Sequence, residues 1–265
     1  MLRLAVLALG GIAALVVLER KRPLRRRAPA RQPRRIRRNL ALGALSLGVA
    51  GLIERPLAMW LARPVEARRL GLAQRLPTRA ARDFAAIMAL DYTIYVWHVL
   101  THRVPFLWRF HLVHHIDREL SASTALRFHA GEMLLSVPYR LAQVRLLGVS
   151  PRALDRWQRF FFASVLLHHS NLRLPERLER LLARVFTTPR MHGIHHSQHR
   201  AERDSNWSSG LSVWDHLHGT FRLDVPQDAV PIGVGGFEEA EKRSVAASLR
   251  LPFTRASRFT PTGVF

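Results

Sequence analysis

Between Phe84 and His115 the chain passes from an apolar helix straight into a crowd of histidines, and few folds accommodate that passage. Residues 84–100, FAAIMALDYTIYVWHVL, hold a single acid, Asp91, and read as a membrane-embedded helix. The stretch Asp91–His115, DYTIYVWHVLTHRVPFLWRFHLVHH, carries five of the fourteen histidines: His98 and His102 as HxxxH, then His111, His114 and His115 as HxxHH. A second HxxHH follows at His192, His195 and His196. Side chains three and four apart share a helix face, so each cluster presents several imidazoles together. Asp91, Tyr95, His98 and His102 fall on one such stripe. A lone histidine on an apolar face is usually a core residue, but three spaced clusters point to bound metal.

Composition narrows the metal chemistry. The chain has 265 residues and no cysteine, which excludes disulfides, zinc–thiolate sites and iron–sulfur clusters. The formal charge of +22 is concentrated in arginine clusters that alternate with apolar runs. That alternation favours a membrane neighbour, and the basic residues lack the aromatic interleaving of a nucleic-acid platform.

The expected architecture is all-α, with about three to five membrane-embedded segments and a cytoplasmic, histidine-rich helical cap. Residues 4–18 form a first apolar helix, kept as an anchor and not cleaved as a signal peptide. The linker 19–38 carries 11 Lys or Arg and stays on the cytoplasmic side, as an irregular, headgroup-facing segment broken by Pro23, Pro29 and Pro33. Residues 39–53 return as a span or re-entrant segment, and 55–80 lie at the interface around Trp60. Residues 133–148 and 157–168 make a helical hairpin about the sequence VSPRALD, and 175–186 lie on the surface, with Leu178, Leu181, Leu182 and Val185 as the apolar stripe. Three regions follow: N-terminal membrane helices over 1–83, a catalytic domain over 84–222 and an irregular cytoplasmic tail over 223–265. The chain is expected to be a multi-pass membrane protein, in the inner membrane if bacterial.

The ordered set HxxxH, FHxxHH, RFHxxE, HHSN, HxxHH and WDxxxGT resembles the fatty acid hydroxylase/sterol desaturase superfamily of membrane enzymes over roughly residues 84–222. The resemblance implies a helical membrane protein whose histidines hold two metals, functionally iron, and which uses dioxygen to hydroxylate or desaturate lipid C–H bonds. Its metal ligands would be His98, His102, His111, His114, His115, His192, His195 and His196, with His169 from the HSN element and His129 from the element where Ala130 replaces the usual proline. His168, His199, His216 and His218 stand beside these elements and take structural roles. Asp91, Asn171 and Asp215 are candidates to accept a hydrogen bond from a ligand's far N–H, with Asp117, Glu132, Asp204 and Asn206 also available.

Nine or ten imidazoles exceed what one ion accepts, so two ions follow from counting. Iron suits dioxygen chemistry and zinc has no redox chemistry, although zinc can occupy the same ligands in purified protein. There is no Glu-x-x-His, HExxH or HxxEH motif. No flavin, haem or Rossmann motif occurs either, so electrons would come from a separate ferredoxin- or cytochrome-type donor. The substrate would be a lipid: an acyl chain, a sterol-like ring or an isoprenoid. Two other classes fit a histidine-rich membrane protein: a metal-binding lipid or assembly factor without oxygenase activity, and a membrane metal-dependent hydrolase.

Overall fold

The computed structural model describes residues 2–26, 32–237 and 244–258. Among them the chain is all-helical, with only isolated β-bridges such as Pro23–Leu172 and Ser197–Ile232. Helix α1 (Leu2–Lys21) leads to α2 (Gln32–Val49), which continues through a π-helical turn at Ala50–Glu54 into α3 (Arg55–Ala67). Then come α4 (Arg79–Arg103), α5 (Pro105–His115), α6 (Ala130–Leu147) and α7 (Pro151–His169). Short helices complete the cap: α8 (Glu176–Leu182), α9 (Pro189–His195), α10 (Arg200–Arg203), α11 (Val213–His218) and α12 (Val245–Arg250).

The boundaries have local causes. Thr78 caps α4 by accepting from Ala81 N at 3.1 Å, and Ser150 caps α7 by accepting from Ala153 N at 3.0 Å. Pro105, Pro151 and Pro189 open α5, α7 and α9, where a missing N–H costs nothing. The hairpin expected around 149–155 forms, with a tighter turn. Gly148 (φ 77) ends α6 in the left-handed region, and a Cβ on Gly71 would overlap its backbone nitrogen.

The main core joins Ala58, Ala62 and Val65 of α3, Ala86, Leu90 and Ile94 of α4, Val144 of α6, and Leu154 and Trp157 of α7. The small residues of α3, spaced by four and three, let its backbone approach its neighbours closely. Burying a side chain the size of Leu90, Ile94 or Leu154 contributes about 1.5–3 kcal/mol. One face of α3 is thus core, while Trp60, about which 55–80 was expected to lie at the interface, is exposed on the other. Two helices among the described residues are long and apolar enough to cross a membrane, Pro33–Ala67 and Arg79–Arg103. The expected apolar helix 4–18 falls within α1, with the side chains of its first part, up to residue 9, outside the described set.

Three expectations are corrected. The arginine-rich linker is helical at both ends, with Pro29 outside the described residues, and Arg25, Arg35 and Arg38 are buried in the protein and not turned to headgroups. Arg35 pairs with buried Asp117 at 2.9 Å, and Asn39 and Thr124 each donate to the same carboxylate oxygen at 2.9 Å. Burial pushes the Asp117 pKa up, but Arg35 and Arg127 outweigh it and hold the carboxyl below its ordinary value. On α8 the stripe is inverted: Leu178 and Leu181 are exposed, while Glu179 is buried and pairs with Arg190 at 3.1 Å. The tail is not loose along its described length. Val225, Val230 and Ile232 pack on Leu120 and Ile194, and Val234, Phe237 and Leu251 pack on Trp108, Leu112 and Val113 of α5.

Candidate metal centre

Helix α4 sends Asp91, Tyr95 and His98 toward the cap, as their shared stripe requires. Asp91 accepts from Leu211 N at 3.0 Å and from Trp214 Nε1 at 2.7 Å, and Tyr95 OH lies 3.2 Å from Thr220 Oγ1. His98 donates through Nδ1 to Trp207 O at 2.7 Å. The C-terminal turn of α5 supplies His111, His114 and His115, the end of α7 supplies His168 and His169, and α9 with the residue after it supplies His192, His195 and His196.

These side chains converge into two groups of four. His98, His102, His115 and His195 form one; His114, His169, His192 and His196 form the other, and within each the candidate ligand atoms lie within 4.8 Å of one another. In the second group the Nε2 atoms of His169 and His114 are 3.0 Å apart, those of His192 and His169 2.8 Å, and those of His196 and His192 3.1 Å. A tetrahedral ion with ~2.05 Å bonds sets its nitrogens ~3.3 Å apart, so the four atoms face a space of that size. In the first group His102 Nε2, His195 Nε2 and both nitrogens of His115 are buried without a hydrogen bond. Orphaned buried nitrogens are costly unless a ligand takes them. A set of imidazoles alone suits iron, zinc, copper or nickel better than calcium or magnesium.

Backbone carbonyls orient the rings. A carbonyl only accepts, so each bond below fixes Nδ1 as the protonated nitrogen and leaves Nε2 its lone pair. His98 uses Trp207 O, His195 uses Ser205 O at 3.0 Å, His169 uses Val165 O at 2.8 Å and His114 uses Arg127 O at 3.3 Å. The segment carrying Ser205 and Trp207 is itself held in place. Asn206 sits in the left-handed region (φ 52), where its short polar side chain is tolerated. Its amide donates to Met191 O at 2.9 Å and Arg222 O at 2.8 Å.

The predicted hydrogen-bond acceptors therefore act one step further out. Asp215 takes Trp207 N at 2.8 Å and Ser208 N at 3.1 Å and so fixes the loop, not a ring. Asn171 spends its side chain on the backbone of Arg25, accepting from N at 2.9 Å and donating to O at 2.8 Å. Asp91 holds the 211–214 turn, and a Cβ on Gly210 would overlap Asp91 Oδ1. Glu132 is the one carboxylate bonded to a clustered histidine among the described residues, accepting from His111 Nδ1 at 2.8 Å. His111 stands between the groups, with ring centroids 4.9 Å from His102 and His115 and 5.3 Å from His98 and His114.

His129 is the expected ligand that the fold places elsewhere. Its Nδ1 accepts from Gly131 N at 2.8 Å, capping α6, and its Nε2 donates to Leu249 O at 3.1 Å. Both nitrogens are committed, so the expectation that it ligates metal is corrected. His216 donates to Ala183 O at 3.3 Å, and His218 stacks on Tyr95 at 5.0 Å. His168, expected to be structural, lies buried in the wall beside the second group, its ring 4.1 Å from that of His192. Its place next to His169 is visible in the sequence; the inward turn of both rings at the end of α7 is not.

The rings are poised as neutral ligands. Burial is the main cause that holds His114, His115, His192 and His196 well below the ordinary histidine pKa, with neighbouring imidazoles adding to it. Burial likewise lowers His169 and His195 to about 3. A cavity of about 610 Å³ opens on this centre, within the range of small-molecule sites. Its histidine end includes His98, His111, His114, His169 and His192; Trp97, Phe128 and Phe161 line its apolar length; Arg55, Asp155 and Arg159 stand at the other end. Asp155 and His169 lie fourteen residues apart on α7, about 21 Å along its axis, so the cavity is elongated. Glu54, turned inward by the π-helical turn, accepts from Arg140 Nε at 3.2 Å and Ser136 Oγ at 3.0 Å in the same wall.

The described residues thus combine an all-helical fold, two helices of membrane-spanning length, two four-histidine groups and an apolar cavity leading to them. The family model described as fatty acid hydroxylase matches residues 84–220, and the chain belongs to the fatty acid hydroxylase family, within the fatty acid hydroxylase/sterol desaturase superfamily. The chain is 31% identical to ornithine lipid hydroxylase OlsE of Rhizobium tropici, over 69% of this chain and 54% of that protein. It is 28% identical to human alkylglycerol monooxygenase (53% and 31%) and 27% identical to human cholesterol 25-hydroxylase (51% and 49%). It thus spans about half the length, or less, of these relatives. No solved structure matches the chain.

Proposed function

We propose that this protein is a membrane-bound, dioxygen-dependent lipid hydroxylase with two irons, one held by His98, His102, His115 and His195, the other by His114, His169, His192 and His196. The observation that carries the reading is the pair of four-imidazole groups at the end of an elongated apolar cavity. Iron bound there would supply the redox chemistry that activates dioxygen for insertion into an unactivated C–H bond. The protein's own residues do the rest. Carbonyls of Arg127, Val165, Ser205 and Trp207 fix which nitrogen each ring offers. His111, set by Glu132, stands where it can serve either ion as a further ligand. Trp97, Phe128 and Phe161 keep water from the substrate's apolar part.

The relatives' names specify hydroxylation and monooxygenation of an ornithine lipid, an alkylglycerol and cholesterol. The cavity's length favours a lipid with an extended chain, and Arg55 and Arg159, bridged by Asp155 at 3.0 and 2.8 Å, offer guanidinium donors to its polar part. Hydroxylation is favoured over the metal-binding-factor reading because the cavity reaches the histidines. In the proposed topology the α2–α3 rod and α4 cross the membrane and the histidine cap faces the cytoplasm, where a separate electron donor would reach it.

Comparative lipid mass spectrometry tests the function. Cells with the wild-type protein should contain a lipid heavier by one oxygen atom that is missing without it and missing with a His114→Ala/His195→Ala double variant. Identical aerobic lipidomes for wild type and double variant would sink the oxygenase reading. Fewer than two metals per fully loaded chain would sink the dinuclear one.

A further inference from the structure

The two sides of the histidine centre are unlike each other. His98, His111, His114, His169 and His192 line the cavity, whereas His102, His115 and His195 of the first group do not. Those three face two tryptophans. Trp207 lies 4.8 Å from His102 and 5.1 Å from His195, ring to ring, and Trp108 lies 5.0 Å from His102 and 5.5 Å from His115. His102 is the one member of either group that is not fully buried. This group therefore comes nearest the surface at His102, whose ring lies against both buried indoles.

That surface is basic. The exposed Arg103 guanidinium sits 5.9 Å from the Trp207 ring, and beneath the surface the buried Arg203 guanidinium lies 6.0 Å from the Trp108 ring. Arg103, Arg200 and Arg203 all gather on one carboxylate, Asp204, at 3.4, 3.3 and 3.8 Å. Arg222 joins them by donating to Ala201 O at 3.0 Å, with Asp224 beside it. Exposed Val104 and Phe106 adjoin Arg103 at the α4–α5 junction. An apolar spot with a charged rim is the anatomy of a small, transient protein interface.

We propose that this face, centred on Arg103 and Arg200, docks an acidic one-electron-donor protein, and that Trp207 and Trp108 lie between the donor and the first histidine group. The proposal rests on the oxygenase reading above. In that reaction one oxygen atom enters the C–H bond as a hydroxyl and the other leaves as water with two protons. Dioxygen's four-electron reduction takes two electrons from the C–H bond and two from the donor, which is oxidised in two successive encounters. Delivery from this side leaves the cavity to the lipid. A lipid contact is disfavoured because this face backs onto the side of the centre away from the cavity.

The test uses the full-length, metal-loaded protein in detergent and an acidic two-iron, two-sulfur ferredoxin as the probe. Wild type should bind it with a Kd that rises with salt, and Arg103→Glu/Arg200→Glu should weaken binding at least about tenfold at low ionic strength with metal content unchanged. Charge reversal at exposed Arg177 and Arg180 on α8 should leave the Kd unchanged. No measurable binding by wild type, or equal weakening by the α8 reversal, overturns the proposal. So does a double variant that loses binding to phosphatidylglycerol vesicles while keeping its ferredoxin Kd. Turnover with dithionite and a small mediator should survive the double variant. If lipid product is absent in wild type under that chemical reduction, the oxygenase reading fails, while the binding result still decides the docking face.

Discussion

The neutral imidazoles make the metal-free protein acid-sensitive. His169 and His195 are lowered by burial to about 3 in the folded chain, against about 6.5 unfolded. Below pH 6.5 the unfolded chain binds these protons and the folded chain does not, so stability declines as the pH is lowered toward about 3. Each histidine contributes a slope of about 1.4 kcal/mol per pH unit within that window. Denaturant titrations of metal-free protein between pH 7 and 5 should show this decline, and metal should suppress it by holding the rings unprotonated. His129 offers the contrasting residue. His129→Ala should leave metal content at wild-type level and cost about 1 kcal/mol through the lost cap, whereas His192→Ala should lose metal. Elemental analysis beside a melting curve separates the two. The clustered histidines were legible because imidazoles three and four apart have few uses on an apolar helix. The orienting groups were not: they are main-chain oxygens of Ser205 and Trp207, and no side-chain pattern marks a carbonyl.

At the level of elements, the arginine-rich linker is the part whose role sequence reasoning missed. Charge density alone reads as a solvated or lipid-facing run, and nothing in it shows that Arg35 meets Asp117 eighty-two residues later. Replacing Arg35 by Ala leaves that carboxylate buried with its main partner gone, which should cost about 3–5 kcal/mol and be visible as a lower denaturant midpoint. The same segment bears on α9. Arg25 donates to Pro189 O at 2.7 Å, and a Cβ on Gly193 would overlap its guanidinium. Gly193→Ala must displace Arg25 from the helix that carries His192 and His195 and leads into His196. The expected result is a drop below two bound metals per chain, with partial recovery when Arg25→Ala is added to make room. The helices themselves were readable from Pro, Thr and Ser at their starts. The fate of their faces was not: α8 turns Glu179 inward and leaves Leu178 and Leu181 exposed, and α3 packs through its small residues while the large Trp60 stays exposed.

Across the whole molecule the absence of cysteine becomes a tool. Single cysteines can report the proposed topology without background. Leu52→Cys, on an exposed apolar stretch of the α2–α3 rod, should resist a water-soluble maleimide in intact membranes and react after detergent. Leu217→Cys, exposed on the cap, should react in inverted vesicles and not in intact cells. Reaction of both from the outside would overturn the orientation. The π-helical turn at Ala50–Glu54 adds one more consequence at this scale. Such a turn is a helix carrying one residue too many. Removing a single residue from 50–53 should therefore yield a longer straight helix and leave the rod unbroken. Because the π-helical turn winds its extra residue into about the same rotation that four α-helical residues make, everything after it should keep its facing, with Ala58, Ala62 and Val65 in the core and Arg55 beside Asp155. The same deletion made within α3 has no surplus residue to remove and would turn the rest of that helix by about 100°, so the π-helical turn is the one place on this rod where a residue can be lost without a change of cavity.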